Sequence, residues 1–109
     1  LNYKYGKEDQ SISVKELVDE FLDYLSVERG LSNNTISSYH RDLDKYTRYL
    51  EQIRKSSVSD VRREDITSFM LSLKDKGLSV NSIARNLVAI KVFHRFLVRE
   101  RKKLFRFYL

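Results

Sequence analysis

The 109-residue chain contains no cysteine, no proline and no tryptophan, and its only glycines are Gly6, Gly30 and Gly77. Without cysteine it has neither disulfides nor thiolate metal ligands, a composition compatible with the cytoplasm, which is the expected compartment. Without proline nothing interrupts a helix from within, so Gly30 and Gly77 become the natural stops. No apolar run approaches the roughly 18 residues of a membrane span. The first ten residues, Leu1 to Gln10, are polar and of mixed charge, unlike a secretory leader. His40 and His94 are isolated, which argues against a metal site. Gly-rich phosphate loops, nucleophile elbows and Ser/His/Asp patterns are all missing. Asp42 and Asp44, and Glu64 and Asp65, read as helix-surface or helix-start acids rather than catalytic pairs. The chain therefore calls for no cofactor, no small-molecule substrate and no catalytic residue of its own.

What is present is basic charge, unevenly spread. Lys and Arg number 21 against 15 acids, for a formal net charge of +6. Residues 1–30 hold four basic and seven acidic side chains, leaving 17 basic and eight acidic ones in residues 31–109. A basic body behind an acidic first segment is a partial footprint for a polyanion. A moderately basic, merely solvated surface gives the same count.

Helical signals fill the chain. Ser13 and Glu16 have capping-box spacing, with Ile12 and Leu17 placed as a hydrophobic staple. Val14, Leu17, Val18, Phe21, Leu22 and Leu25 then recur at helical spacing and predict a first helix from about Val14 to Arg29, ended by Gly30. Ser32 reads as the N-cap of a second helix with Ile36, Tyr39, Leu43, Tyr46 and Leu50 inward. Residues 54–61 have no period and form a basic, Ser-rich connection. A third helix starts near Arg63, with Ile66, Phe69, Met70 and Leu73 inward, and stops at Gly77. Ser79 caps a fourth, whose inner face is Val80, Ile83, Leu87, Ile90, His94 and Leu97. The tail from Lys102 to Leu109 is basic and aromatic and reads as the start of a linker to further protein.

The most specific feature is an internal repeat. Gly-Leu-Ser-Asn-Asn-Thr-Ile at 30–36 returns as Gly-Leu-Ser-Val-Asn-Ser-Ile at 77–83. At the same offset of 47 residues, Tyr46-Thr47-Arg48-Tyr49-Leu50 returns as Phe93-His94-Arg95-Phe96-Leu97. A tight helix–helix turn requires Gly-Leu-Ser whatever the function, and two copies are too few for a solenoid. The expected fold is all-α, four helices arranged as two helical hairpins in one domain.

The outer faces of the second helices carry the candidate site. Opposite the inner stripe of the second helix lie Asn34, Ser37, Ser38, Arg41, Lys45 and Arg48, with Thr35 in the same entry turn. The fourth helix offers Asn81, Ser82, Arg85 and Asn86, then Lys91, Arg95, Arg99 and Arg101 to Lys103. Small hydrogen-bonding residues in the first turn and long cations behind them suit a helix that enters a groove N-terminus first, its flank on phosphates. Asn and Arg are the side chains that make two-pronged contacts with adenine and guanine edges. We therefore single out Asn34, Thr35, Ser38, Arg41, Lys45, Arg48, Asn81, Ser82, Arg85, Lys91 and Arg95 as DNA-facing. Val88 and Val92, toward the same side, suit packing on another domain. Tyr39, Tyr46, Phe69 and Phe93 read as core rather than as a base-stacking platform. The alternative left open is a helical protein-interaction module whose basic faces are solvated.

Two strings carry a family resemblance. Phe21-Leu22-Asp23-Tyr24-Leu25, Arg29 to Ile36 and Tyr39-His40-Arg41-Asp42-Leu43 together resemble the opening of Xer-type tyrosine recombinases. Ala84 to Leu97 resembles the fourth helix of that family. The likeness covers about residues 12–101 and points to the SAM-like core-binding domain of integrases and recombinases, with 1–11 a flexible segment and 102–109 the start of a linker. It implies half of a clamp around duplex DNA at a recombination half-site, with the second and fourth helices toward the major groove. It also implies a separate C-terminal catalytic domain supplying Arg, Lys, His and the nucleophilic Tyr, and further protomers in a synaptic tetramer. None of the tyrosines here is assigned as nucleophile. Asn86, Val88 and Val92 depart from the family, in which many members carry Arg or Ser there.

Overall fold

The computed structural model describes residues 12–100, and among them lie four α-helices. They are α1 (Val14–Val27), α2 (Asn33–Gln52), α3 (Arg63–Asp75) and α4 (Val80–Glu100), with a single 3-10 turn at Val58–Asp60. Among the described residues no strand forms beyond one antiparallel bridge, Ser13 to Ser57. The all-α, two-hairpin expectation is met.

Each helix starts where the sequence supplies an acceptor for its orphan N–H groups. The Glu16 N–H donates to Ser13 Oγ at 3.1 Å, and the Ser13 N–H donates to Glu16 Oε1 at 3.2 Å, closing the capping box of α1. Ser32 accepts from the Thr35 N–H at 3.2 Å, and Ser79 accepts from the Ser82 N–H at 3.1 Å. For α3 the cap is a carboxylate, Asp65 Oδ2 accepting from the Arg62 N–H at 2.8 Å, as expected of a helix-start acid.

The helix ends are less uniform than the repeat suggested. Gly77 (φ +89°) closes α3 in a Schellman motif, with Leu78 N–H on Leu73 O at 3.1 Å and Gly77 N–H on Lys74 O at 2.9 Å. After α1 the coil is one residue wider: Arg29 N–H reaches Tyr24 O at 3.1 Å and Leu31 N–H reaches Leu25 O at 3.1 Å. That loosening ends α1 at Val27 rather than near Arg29, ahead of Gly30 (φ +60°). The end of α2 carries the same Schellman bonds as α3, Lys55 N–H to Leu50 O and Arg54 N–H to Glu51 O. The left-handed position there is Arg54 (φ 62°), which is not a glycine.

One core joins the helices. Phe21 of α1 meets Tyr39 of α2 and Phe93 and Phe96 of α4, at ring separations of 5.2 to 5.7 Å. Tyr46 and Tyr49 of α2 both pack on Phe69 of α3. Repeat-related positions behave alike, since Leu43 and Ile90, Tyr46 and Phe93, and Leu50 and Leu97 are all fully buried. One expectation needs correction. Val80, placed on the inner face of the fourth helix, is 82% exposed because it is the first residue of α4 and precedes the turn that meets α2. The connection 54–61 is as expected aperiodic, but it is anchored: Val58 and Val61 are buried in the core, and Lys55 Nζ holds both oxygens of Asp65 at 3.0 Å.

Candidate nucleic-acid interface

The first turns of α2 and α4 are built alike. Ser32 Oγ donates to Thr35 Oγ1 at 3.0 Å and Ser79 Oγ donates to Ser82 Oγ at 3.1 Å. In both caps the second hydroxyl acts as acceptor, which leaves its own hydrogen for another partner. Asn34 and Asn81 are exposed one residue before these hydroxyls. Both helix starts thus present an amide side chain and a hydroxyl donor beside the positive end of a helix dipole.

The two helices meet at an ion pair. Arg85 of α4 grips Asp42 of α2 through two bonds, Nε to Oδ2 at 2.9 Å and Nη2 to Oδ1 at 3.0 Å. Asp42 is almost entirely buried, whereas the Arg85 side chain remains 52% exposed. The carboxylate raises the pKa of the guanidinium above its ordinary value, first by the hydrogen bonds and then by its charge. Asp42 was read from the sequence as a surface acid, and this is a correction: it lies in the seam and fixes where Arg85 points. The fork geometry of Arg and carboxylate makes that orientation specific.

Around this pair runs a groove of about 250 Å³ lined by Thr35, Ser38, Tyr39, Asp42, Arg85, Val88 and Ala89. Ala89 occupies the position that repeats Asp42, and its small side chain leaves room for the groove floor. Arg41 folds toward the same edge, donating from Nη2 to Ser38 Oγ at 3.2 Å. The structure therefore brings Thr35, Ser38, Arg41 and Arg85 together.

Other candidates lie apart from it. Lys45 and Arg48 border a second groove, of about 270 Å³, whose far wall is Lys76 and Leu78 of the α3–α4 turn. Lys76 was missed from the sequence because it precedes a helix-stop glycine rather than sitting on a basic stripe. Arg48 is shared with Asp44 one turn away at 3.1 Å, an exposed pair of little strength. Lys91 is half-buried and Arg95 is exposed farther along α4. Helical spacing puts both on the face of Asn81, Arg85 and Val88.

Two fourth-helix residues are engaged within the domain. Asn86 is fully buried, its side-chain amide donating to Ser82 O at 2.8 Å, so it cannot reach a base edge. Arg99 turns to α1, where it donates to Tyr24 Oη at 2.9 Å and lies over the ring. Val92, read as outward, is partly buried against the core, while Val88 is 55% exposed as expected. Arg101, Lys102 and Lys103 lie outside the described residues. Among the described residues no cluster of His, Asp and Glu has the form of a metal site, and no helix is long and apolar enough to cross a membrane.

Comparison with known proteins follows the same lines. Tyrosine recombinase XerD of Oceanobacillus iheyensis is 44% identical over 84 residues, covering 76% of this chain and 28% of the relative. Tyrosine recombinase XerC of Herpetosiphon aurantiacus is 40% identical over 84 residues, covering 77% and 28%. Tyrosine recombinase XerD of Halalkalibacterium halodurans is 43% identical over 90 residues, covering 82% and 30%. The chain thus spans less than a third of the length of these curated relatives. No solved structure matches it. The family model for the phage integrase N-terminal SAM-like domain matches residues 18–101, and this chain belongs to that family.

Proposed function

We propose that the chain is the DNA-binding half of a site-specific tyrosine recombinase, closing on duplex DNA at a recombination half-site through α2 and α4. Strand cleavage and rejoining fall to a C-terminal domain of the longer protein, acting with other protomers in a synaptic tetramer. The observation that carries the reading is the Arg85–Asp42 seam. A half-exposed guanidinium is fixed by a buried carboxylate in a groove flanked by the Thr35 and Ser38 hydroxyls of α2. Such pre-orientation reduces the entropy lost when the arginine engages a base edge or phosphate.

The charge pattern divides the labour. Asp42 neutralises Arg85, so the centre of the face is nearly neutral and serves position more than attraction. Arg41, Lys45, Arg48, Lys91 and Arg95 supply the long-range attraction from its flanks. Five phosphate contacts release about five counterions, for a slope near −4.5 in log affinity against log salt. Titrating the chain against duplex DNA across salt concentrations tests this directly. A salt-independent affinity, or no binding at low salt, would instead favour a protein-interaction module with solvated basic faces.

A further inference from the structure

A third groove, of about 280 Å³, lies where the end of α1 meets the end of α4. Its floor holds Val27, which is 80% exposed, the Tyr24 ring, over which Arg99 lies, and the edge of the buried Phe96, 4.8 Å from Tyr24. Its rim is acidic, formed by Glu20, Asp23, Glu28 and Glu100. Glu100 lies near Arg99 at 3.6 Å, whereas Asp23 and Glu28 make no ion pair among the described residues. An exposed valine beside aromatic rings, beneath several carboxylates, fits a ligand that is cationic and aromatic at once.

The chain itself carries such a segment in sequence directly after Glu100, which lines the groove. Residues 101–109 read Arg-Lys-Lys-Leu-Phe-Arg-Phe-Tyr-Leu, with four cations, no acid and three aromatic rings. We infer that the α1–α4 groove is the docking site for this segment, with Phe105 on the Tyr24–Val27–Phe96 floor and the cations over the acidic rim. Reach permits it. Glu100 already lines the groove, and the five residues from there to Phe105 extend about 17 Å. Val27 lies seven residues beyond Glu20 on α1, about 10 Å along the helix. Tethering also selects the occupant. A segment joined by so short a link presents itself at an effective concentration on the order of millimolar, well above a second copy of the chain at micromolar concentration. The inference does not rest on the DNA-binding reading.

The experiment uses the whole 109-residue chain. Because it has no cysteine, a Leu109→Cys substitution gives one site for a nitroxide label. Amide spectra of the ¹⁵N-labelled chain are recorded with the label oxidised and reduced, at low salt and at about 1 M salt, where the Debye length falls to about 3 Å. Selective broadening of the Val27 and Glu28 amides is expected at low salt. It should persist on dilution with unlabelled chain and weaken at high salt. Asp23→Lys with Glu28→Lys should abolish it, as should Phe105→Ser, which leaves α1 unchanged and keeps the test valid should the charge reversal disturb that helix. Broadening centred on α2, broadening that disappears on dilution, or no selective broadening would each overturn the assignment. The second of these outcomes would show another copy in the groove, and the third a segment left in solvent.

Discussion

Lowering the pH from 7 to 5 should destabilise this domain through one residue, His94. Its imidazole is 2% exposed, and Nε2 lies 2.9 Å from the buried hydroxyl of Tyr46. Burial pulls its pKa down to about 3 and pushes that of Tyr46 above the ordinary phenol value, an effect to which the Asp65 charge adds. The folded state therefore keeps His94 neutral while the unfolded chain takes up a proton near pH 6.5. With the folded pKa the lower of the two, the stabilisation is complete above about pH 6.5 and is lost as the pH falls toward 3. Each unit below 6.5 costs about 1.4 kcal/mol, so pH 5 should remove about 2 kcal/mol. That is a large share of the roughly 5 to 15 kcal/mol by which a small domain is stable. The assay is urea unfolding followed by far-UV circular dichroism at pH 7, 6 and 5, for the natural chain and for His94→Gln. Glutamine retains a hydrogen-bonding group for Tyr46 but has no proton to gain in this range. The variant should start less stable at pH 7 and lose little further stability on acidification. An equal pH slope in the two proteins would refute the assignment to His94.

Arg85→Ala leaves the Asp42 carboxylate buried without its partner. It should cost about 2 kcal/mol in urea unfolding, less than a fully buried pair because half of the arginine remains in water. Asp42→Asn with Arg85→Ala should recover part of that loss, and strict additivity of the two changes would contradict the seam. Arg54→Gly should stabilise the chain by about 0.5 to 1 kcal/mol, because glycine takes the left-handed position without strain; a fall in melting temperature would argue against it. In DNA titrations, Ala at Lys45 or Arg95 should each reduce the salt slope by about 1, whereas Ala at Asp19 or Asp23 on α1 should leave it unchanged.

The fold was legible because local signals agreed. Ser13, Ser32 and Ser79 act as caps, Gly30 and Gly77 sit at left-handed turns, and the inner stripes of the first three helices pack as their periods require. What escaped the sequence depended on the other hairpin. Position 42 follows Arg41 on a polar stretch, and nothing local says that Arg85, 43 residues away, covers it. Asn86 has the chemistry of a base reader, yet the rotation of α4 turns it inward, where only Ser82 O is within reach. Val58 and Val61 have no period, so their burial depends on how the connection lies against the helices. Of the candidate site, the repeated entry turns were visible from spacing alone. The division between a neutralised centre and cationic flanks required tertiary contacts.

The bridge between Ser13 and Ser57 is small, but it closes a ring. Val14 N–H donates to Ser56 O at 2.7 Å, so the start of α1 is joined to the connection that follows α2. The first turn of a helix ordinarily frays, and its amides exchange with solvent through local opening. Here releasing the amide of Val14 also breaks its bond to the connection that carries Val58 and Val61 into the core. The entry to the first hairpin and the exit from it are thereby joined, and the start of α1 should fray less than a helix end left in solvent.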